Sequence, residues 1–226
     1  MDTTTFTRFA GMCGILAGVS TFLYAISVLV IARGTPHLGA LFGGLFLLMS
    51  GLFVMPVFVA LYHRLMQIDR GFALWGVLLG VISAAGAIVH GGSDFTYVVH
   101  AADAGLTADV LGLMGLSVYA APGNRAAPDL PNAIDPLGLL TFGLASMAVF
   151  VVSWLMGRSH YFPKRLQALG YLLAASLAFV YIMRLIDNRD VLTPQITVAW
   201  ALSGFFAQPG WYVWLGSMLW RNSDRA

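Results

Sequence analysis

The sequence predicts an all-α integral membrane bundle of six transmembrane helices. Three observations predict it. Hydrophobic residues make up 59% of the chain and charged residues 10%, against about 25% charged in a soluble domain. The sparse ionisable residues bound long apolar runs, from Arg8 to Arg33, His37 to His63, Arg70 to His90, Asp135 to Arg158, Arg165 to Arg184 and Asp190 to Arg221. About 20 apolar residues in a helix cross ~30 Å of hydrocarbon. The runs are continuous rather than alternating apolar and polar, so they satisfy their backbone as helices and not as barrel strands.

Taken in order, the spans fall at about 10–32, 38–62, 72–93, 136–157, 166–187 and 195–220, within a single transmembrane domain covering 1–226. The first is too long for a signal-peptide core and no small-residue cleavage site follows it. It is expected to be retained and to target the chain. The second holds Gly39, Gly43, Gly44 and Gly51, and the third Gly76 and Gly80. Small residues so spaced let helices approach closely, which points to a tight bundle or a homo-oligomer. Between the third and fourth spans, residues 95–135 form a long connection. Thr107 as a cap and Asp109 in the first turn predict a short interfacial helix there, followed by an irregular stretch from Ala121 to Pro136. The fifth span is the shortest, with residues 166–183 uncharged. Gln208 is the one amide deep in the sixth, where it is expected to bond to a neighbouring helix or to a ligand.

The second and sixth spans echo each other. Ser50-Gly51-Leu52-Phe53-Val54-Met55-Pro56 and Ser203-Gly204-Phe205-Phe206-Ala207-Gln208-Pro209 share Ser-Gly-x-Phe-x-x-Pro. The preceding spans align loosely, Arg8, Phe22 and Tyr24 with Arg165, Phe179 and Tyr181. Pro56 and Pro209 are each expected to kink a helix by removing a backbone bond, freeing the carbonyls of Leu52 and Phe205, with Ser50 and Ser203 near enough to help satisfy the disturbed backbone. Matching broken spans in two halves of a chain point to a transport site, whereas an old duplicated hairpin retained for packing gives the same pattern.

Orientation follows from basic residues in short loops. With the N-terminus in the cytoplasm, Arg8, Arg64, Arg70, Arg158, Lys164, Arg165, Arg221 and Arg225 lie inside, and Arg33, Arg125, Arg184 and Arg189 lie outside. The acids favour the other side, with Asp94, Asp103, Asp109, Asp129, Asp135, Asp187 and Asp190 outside. An N-in, C-in protein follows, with Arg64 and the Arg158–Arg165 segment as cytoplasmic anchors. Trp75, Trp154, Trp200, Trp211, Trp214 and Trp220 fall near span ends, as an interfacial belt requires.

The strongest chemical candidate is the run from His90 through Ser93, Asp94, Thr96, Tyr97 and His100 to Asp103. If the third helix continues past Gly91-Gly92, then His90, Asp94 and Tyr97 share one stripe, with His100 about a quarter turn away. Ionisable groups at membrane depth mark functional sites by default, and His with Asp four apart suits a shared ligand, a proton relay or a metal held by His90, Asp94 and His100. Water-facing interfacial groups are the bland alternative. Arg184 and Asp187, three apart, pair on a helix, with a clamp for a substrate carboxylate as the second reading.

Several classes are excluded. No phosphate-binding glycine loop precedes a helix, and the basic residues are spread as loop anchors, which argues against nucleic-acid recognition. The only Lys, Lys164, lies in a loop and not in mid-membrane, so a retinal Schiff base is excluded. Cys13 is the only cysteine, leaving no internal disulfide and no Cys-based metal site; inside an apolar run it reads as a packing residue. No Gly-x-Ser-x-Gly motif is present. The sequence implies no particular cofactor.

The short Arg-bearing N-terminus with its Gly-rich first span, and the closing Gln208-Pro-Gly-Trp211-Tyr-Val-Trp214-Leu-Gly-Ser-Met-Leu-Trp220-Arg segment, resemble bacterial six-span membrane proteins of a domain-of-unknown-function family. The resemblance implies a bacterial inner (plasma) membrane and carries no activity. The leading functional expectation is a non-enzymatic protein binding or passing a small molecule through a cavity between the second and sixth spans, open toward His90 and Asp94. A metal-dependent membrane-embedded enzyme and an accessory subunit of a larger membrane complex are the alternatives.

Overall fold

The computed structural model describes residues 3–103, 135, 138–186 and 194–221. Helix α1 (Thr3–Ile26) runs into a π-helical turn, Ser27–Ile31, and a last turn, Ala32–Gly34. Thr35 leaves the α region, which a following proline disfavours, and Pro36 opens α2 (Pro36–Leu65) from a position where its missing N–H costs nothing. Asp69 caps α3 (Arg70–Asp103): its carboxylate accepts the Phe72 N–H at 3.1 Å and its carbonyl the Ala73 N–H at 2.9 Å. A π-helical turn, Leu139–Leu144, leads into α4 (Ala145–Arg158), and Pro163 precedes α5 (Lys164–Ile186). Helix α6 (Pro194–Leu202) passes through a third π-helical turn, Ser203–Ala207, into α7 (Gln208–Arg221). Among the described residues there is no strand. The expected interfacial helix near Thr107 and the stretch from Ala121 to Pro136 fall largely outside the described residues.

Five helical segments are long and apolar enough to cross a membrane: Thr4–Gly34, Pro36–Leu65, Arg70–Thr96, Leu139–Arg158 and Lys164–Ile186. The last segment, 194–221, is helical throughout but is not one of them. Gln195, Gln208 and Pro209 dilute its apolar character. The five carry large apolar side chains to the outside, including Leu78, Phe150, Leu172 and Ile186. Such a surface is compatible with lipid and not with water. The chain is a multi-pass helical membrane protein.

Neighbouring helices run antiparallel. Along α2 and α3, Gly44 meets Phe95, Gly51 meets Ala84 and Ile88, and Gly80 meets Phe58, so one number falls as the other rises. The same ordering holds between α1 and the last segment, where Gly11 faces Trp220, Gly14 faces Gly216, Gly18 faces Pro209 and Val213, and Phe22 packs on Phe205. Helix α4 pairs with α3 through Trp154–Phe72 and with α5 through Phe150–Tyr171. The contacts close a ring, α1–α2–α3–α4–α5–(α6/α7)–α1. Its basal end carries Arg8, Arg64, Arg70, Arg158 and Arg221; its distal end carries Tyr24, His90 and Arg184.

The two ends are built differently. In the basal half the ring is filled by Phe58, Leu61, Leu155, Met156, Leu173, Trp211 and Leu215, all nearly or fully buried. The π-helical turns among the described residues lie in the other half. A π turn releases a carbonyl from the regular ladder and is often found at functional sites.

The structure corrects two expectations here. Trp211 is not part of an interfacial belt. It is 0% exposed, admitted to the core because Gly170 on α5 presents no side chain to its indole. The two proline motifs also differ in structure. Helix α2 passes Pro56 as continuous α-helix, whereas Pro209 follows a π turn closed by the Gln208 N–H on the Ser203 carbonyl. Neither serine hydroxyl turns to the expected carbonyls: Ser50 pairs with Thr21 of α1 at 3.1 Å, and Ser203 donates to the Trp200 carbonyl at 3.1 Å.

Candidate functional site

The third helix does continue through Gly91-Gly92. The reason is close packing: a side chain at Gly91 would strike the backbone of Gly44 and Leu48, so this pair is a helix contact and not a helix end. His90 and Asp94 therefore stay on α3, one turn apart.

His90 Nε2 lies 3.7 Å from Asp135 Oδ2, with the His90 side chain 16% exposed and that of Asp135 3%. Asp135 is held in turn by the start of the fourth span. Its carboxylate accepts the Leu140 N–H at 3.0 Å and its carbonyl the Gly138 N–H at 3.1 Å. Gly138 sits in the left-handed region (φ 71°), open to glycine at little cost, and lets the chain turn tightly enough to bring Asp135 over the π turn it caps. Since Asp135 is buried, His90 and Asp135 face each other inside the protein and not across water.

Asp94 leans past Gly44 of α2, whose missing side chain leaves its Cβ room. Asp94 of α3 and Arg184 of α5 both act electrostatically on Tyr24 of α1. Tyr24 is deeply enclosed yet retains accessible surface, and its ring packs edge-on against Trp200 of α6 at 6.0 Å. Helices α1, α3 and α5, which carry these three side chains, alternate around the ring.

The cluster thus differs from the one the sequence marked. Among the described residues no three metal-ligating side chains converge. Tyr97 and His100 are placed on α3, but their side chains lie outside the described residues, as does Asp187, the expected partner of Arg184. Gln208 opens α7 half-buried, just after the π turn. Between spans two and six, where a cavity was expected, stands α1, bonded to α2 through Thr21–Ser50 and packed on the last segment through its glycines. Sequence reasoning missed Tyr24 and Asp135 as site members. The available signals were a phenol at the outer end of an apolar span and an acid immediately before Pro136 and the fourth span.

No protein family, curated protein or solved structure matches the chain.

Proposed function

We propose that this is a six-span bacterial inner-membrane protein with both termini cytoplasmic, which binds a small molecule in the distal half of its ring and passes it across the membrane. The observation that supports this reading is the electrostatic coupling of Tyr24 to Asp94 and Arg184, carried on alternate helices. Ionisable side chains at membrane depth are costly and mark ligand or ion pathways when they face a bundle interior. An acid, a guanidinium and a phenol together are electrically balanced, and they suit a small neutral or zwitterionic molecule that makes several hydrogen bonds. The described π turns Ser27–Ile31, Leu139–Leu144 and Ser203–Ala207 lie in the same distal half.

The test uses a Cys13→Ala background carrying Tyr24→Cys or Asp94→Cys, with Val149→Cys, from the packed basal half, as control. A membrane-impermeant methanethiosulfonate added to spheroplasts should modify positions 24 and 94 and leave 149 untouched. Modification only from inverted vesicles would reverse the orientation. No modification until the protein is denatured would remove the site. A small neutral or zwitterionic metabolite that raises the melting temperature of the wild type should bind Asp94→Asn and Arg184→Gln about tenfold more weakly or worse, as losing a hydrogen bond to a charged group implies.

A further inference from the structure

The basal end of the α3–α4 seam has features that the distal cluster does not use. Phe72 and Trp75 project from the first turns of α3 and are 44% and 42% exposed. Phe72 packs edge-on against Trp154 of α4 at 5.1 Å and against Trp75 at 6.2 Å, so the three rings form one aromatic wall on the outside of the bundle. At its basal edge the Arg158 guanidinium lies over the Trp154 ring, 4.9 Å from its centroid. Arg70, the first residue of α3, is exposed beside the same wall. The nearest acid, Asp69, is engaged in capping the Phe72 N–H.

Each part fits one end of the same kind of molecule. A guanidinium stacked on indole keeps its in-plane N–H fork, the geometry that meets a phosphate through two parallel hydrogen bonds. Exposed aromatic rings just below it lie where a lipid's glycerol and upper acyl chain run. Basic pockets between helix ends recognise anionic headgroups, whereas a zwitterionic headgroup gains little from two uncompensated cations.

We propose that the α3–α4 seam is a binding site for an anionic phospholipid, its phosphate met by Arg158 and Arg70 and its chain laid along Phe72, Trp75 and Trp154. Native mass spectrometry of the full-length protein in detergent tests it, with palmitoyl-oleoyl phosphatidylglycerol and the matching phosphatidylcholine added at equal concentration. The wild type should retain the phosphatidylglycerol several-fold more than the phosphatidylcholine. The Arg70→Gln/Arg158→Gln double variant should lose that preference, and Arg221→Gln, a basal cation on α7, should keep it. No preference in the wild type, a preference undiminished in the double variant, or equal loss in Arg221→Gln would each overturn the site. If the double variant fails to fold, the two single variants carry the same test, each expected to lose part of the preference and either overturning the site by losing none.

Discussion

Gly170 is where three helices are held by the absence of a side chain. A Cβ there would overlap the Ser153 hydroxyl of α4 and come within 2.8 Å of the Trp211 indole nitrogen of α7. Both side chains are fully buried, and the indole is rigid. Overfilling a packed core costs about 1–3 kcal/mol. Gly170→Ala should therefore lower the melting temperature in detergent by several degrees. Gly210→Ala, whose new methyl meets only Leu169 at 3.6 Å, should change it little. Equal melting temperatures for the two variants would mean that Trp211 is not seated as described. The same residue shows where reading by type fails. Tryptophan near a span end has an interfacial preference in general, and only a glycine on a different helix turns this one into a core residue. Cys13, expected to pack inside an apolar run, is indeed buried.

At the scale of elements, the α2–α3 hairpin depends on backbone meeting backbone. The glycines of the second span, singled out as contact residues, do serve that purpose, with Gly44 against Gly91 and Gly51 against Ala84. Gly91→Ala puts its methyl on the backbone of Leu48 and Gly44, which cannot rotate away. It is expected to destabilise by about 1–3 kcal/mol, visible as reduced yield and an earlier thermal transition. Gly34→Ala, with nothing within 4 Å, should behave as wild type in the same assay. The proline motifs illustrate the opposite case. Two heptads that share four of seven residues take different local structures, one unbroken α-helix and one containing a π turn. Ser50 finds Thr21 across a helix contact, whereas Ser203 finds only its own helix.

For the molecule as a whole, the ring is packed solid at its basal end, and its distal half holds the π turns and the coupled polar groups. Exchange of backbone amides follows local packing, since loosely packed segments open at lower free energy. In detergent, peptides covering 10–17 and 148–156 should therefore exchange more slowly than those covering 22–31 and 139–145. Uniform protection along α1 would contradict a functional division between the two halves. That division also explains why one end carries the candidate site. A side chain can meet a ligand only where its neighbours leave space, and Phe58, Leu155 and Trp211 leave none at the other end.

The sequence by itself determined the class of the protein. Apolar runs bounded by sparse charge can be satisfied only as membrane-crossing helices, whatever their neighbours, because each helix closes its own backbone bonds. It also marked the third span's polar end and Arg184 as unusual, because charge at membrane depth is unfavourable in any arrangement. Only the tertiary structure decided which of these groups meet. Asp94 and Arg184 are far apart in the chain, and both act electrostatically on Tyr24 because α1, α3 and α5 belong to one closed ring. His90 gains an acid from a distant part of the chain, Asp135, through a glycine turn at the start of the fourth span. Partner choice across helices depends on the order and rotation of the helices. Apolar spans of nearly uniform circumference carry little record of either in their sequence.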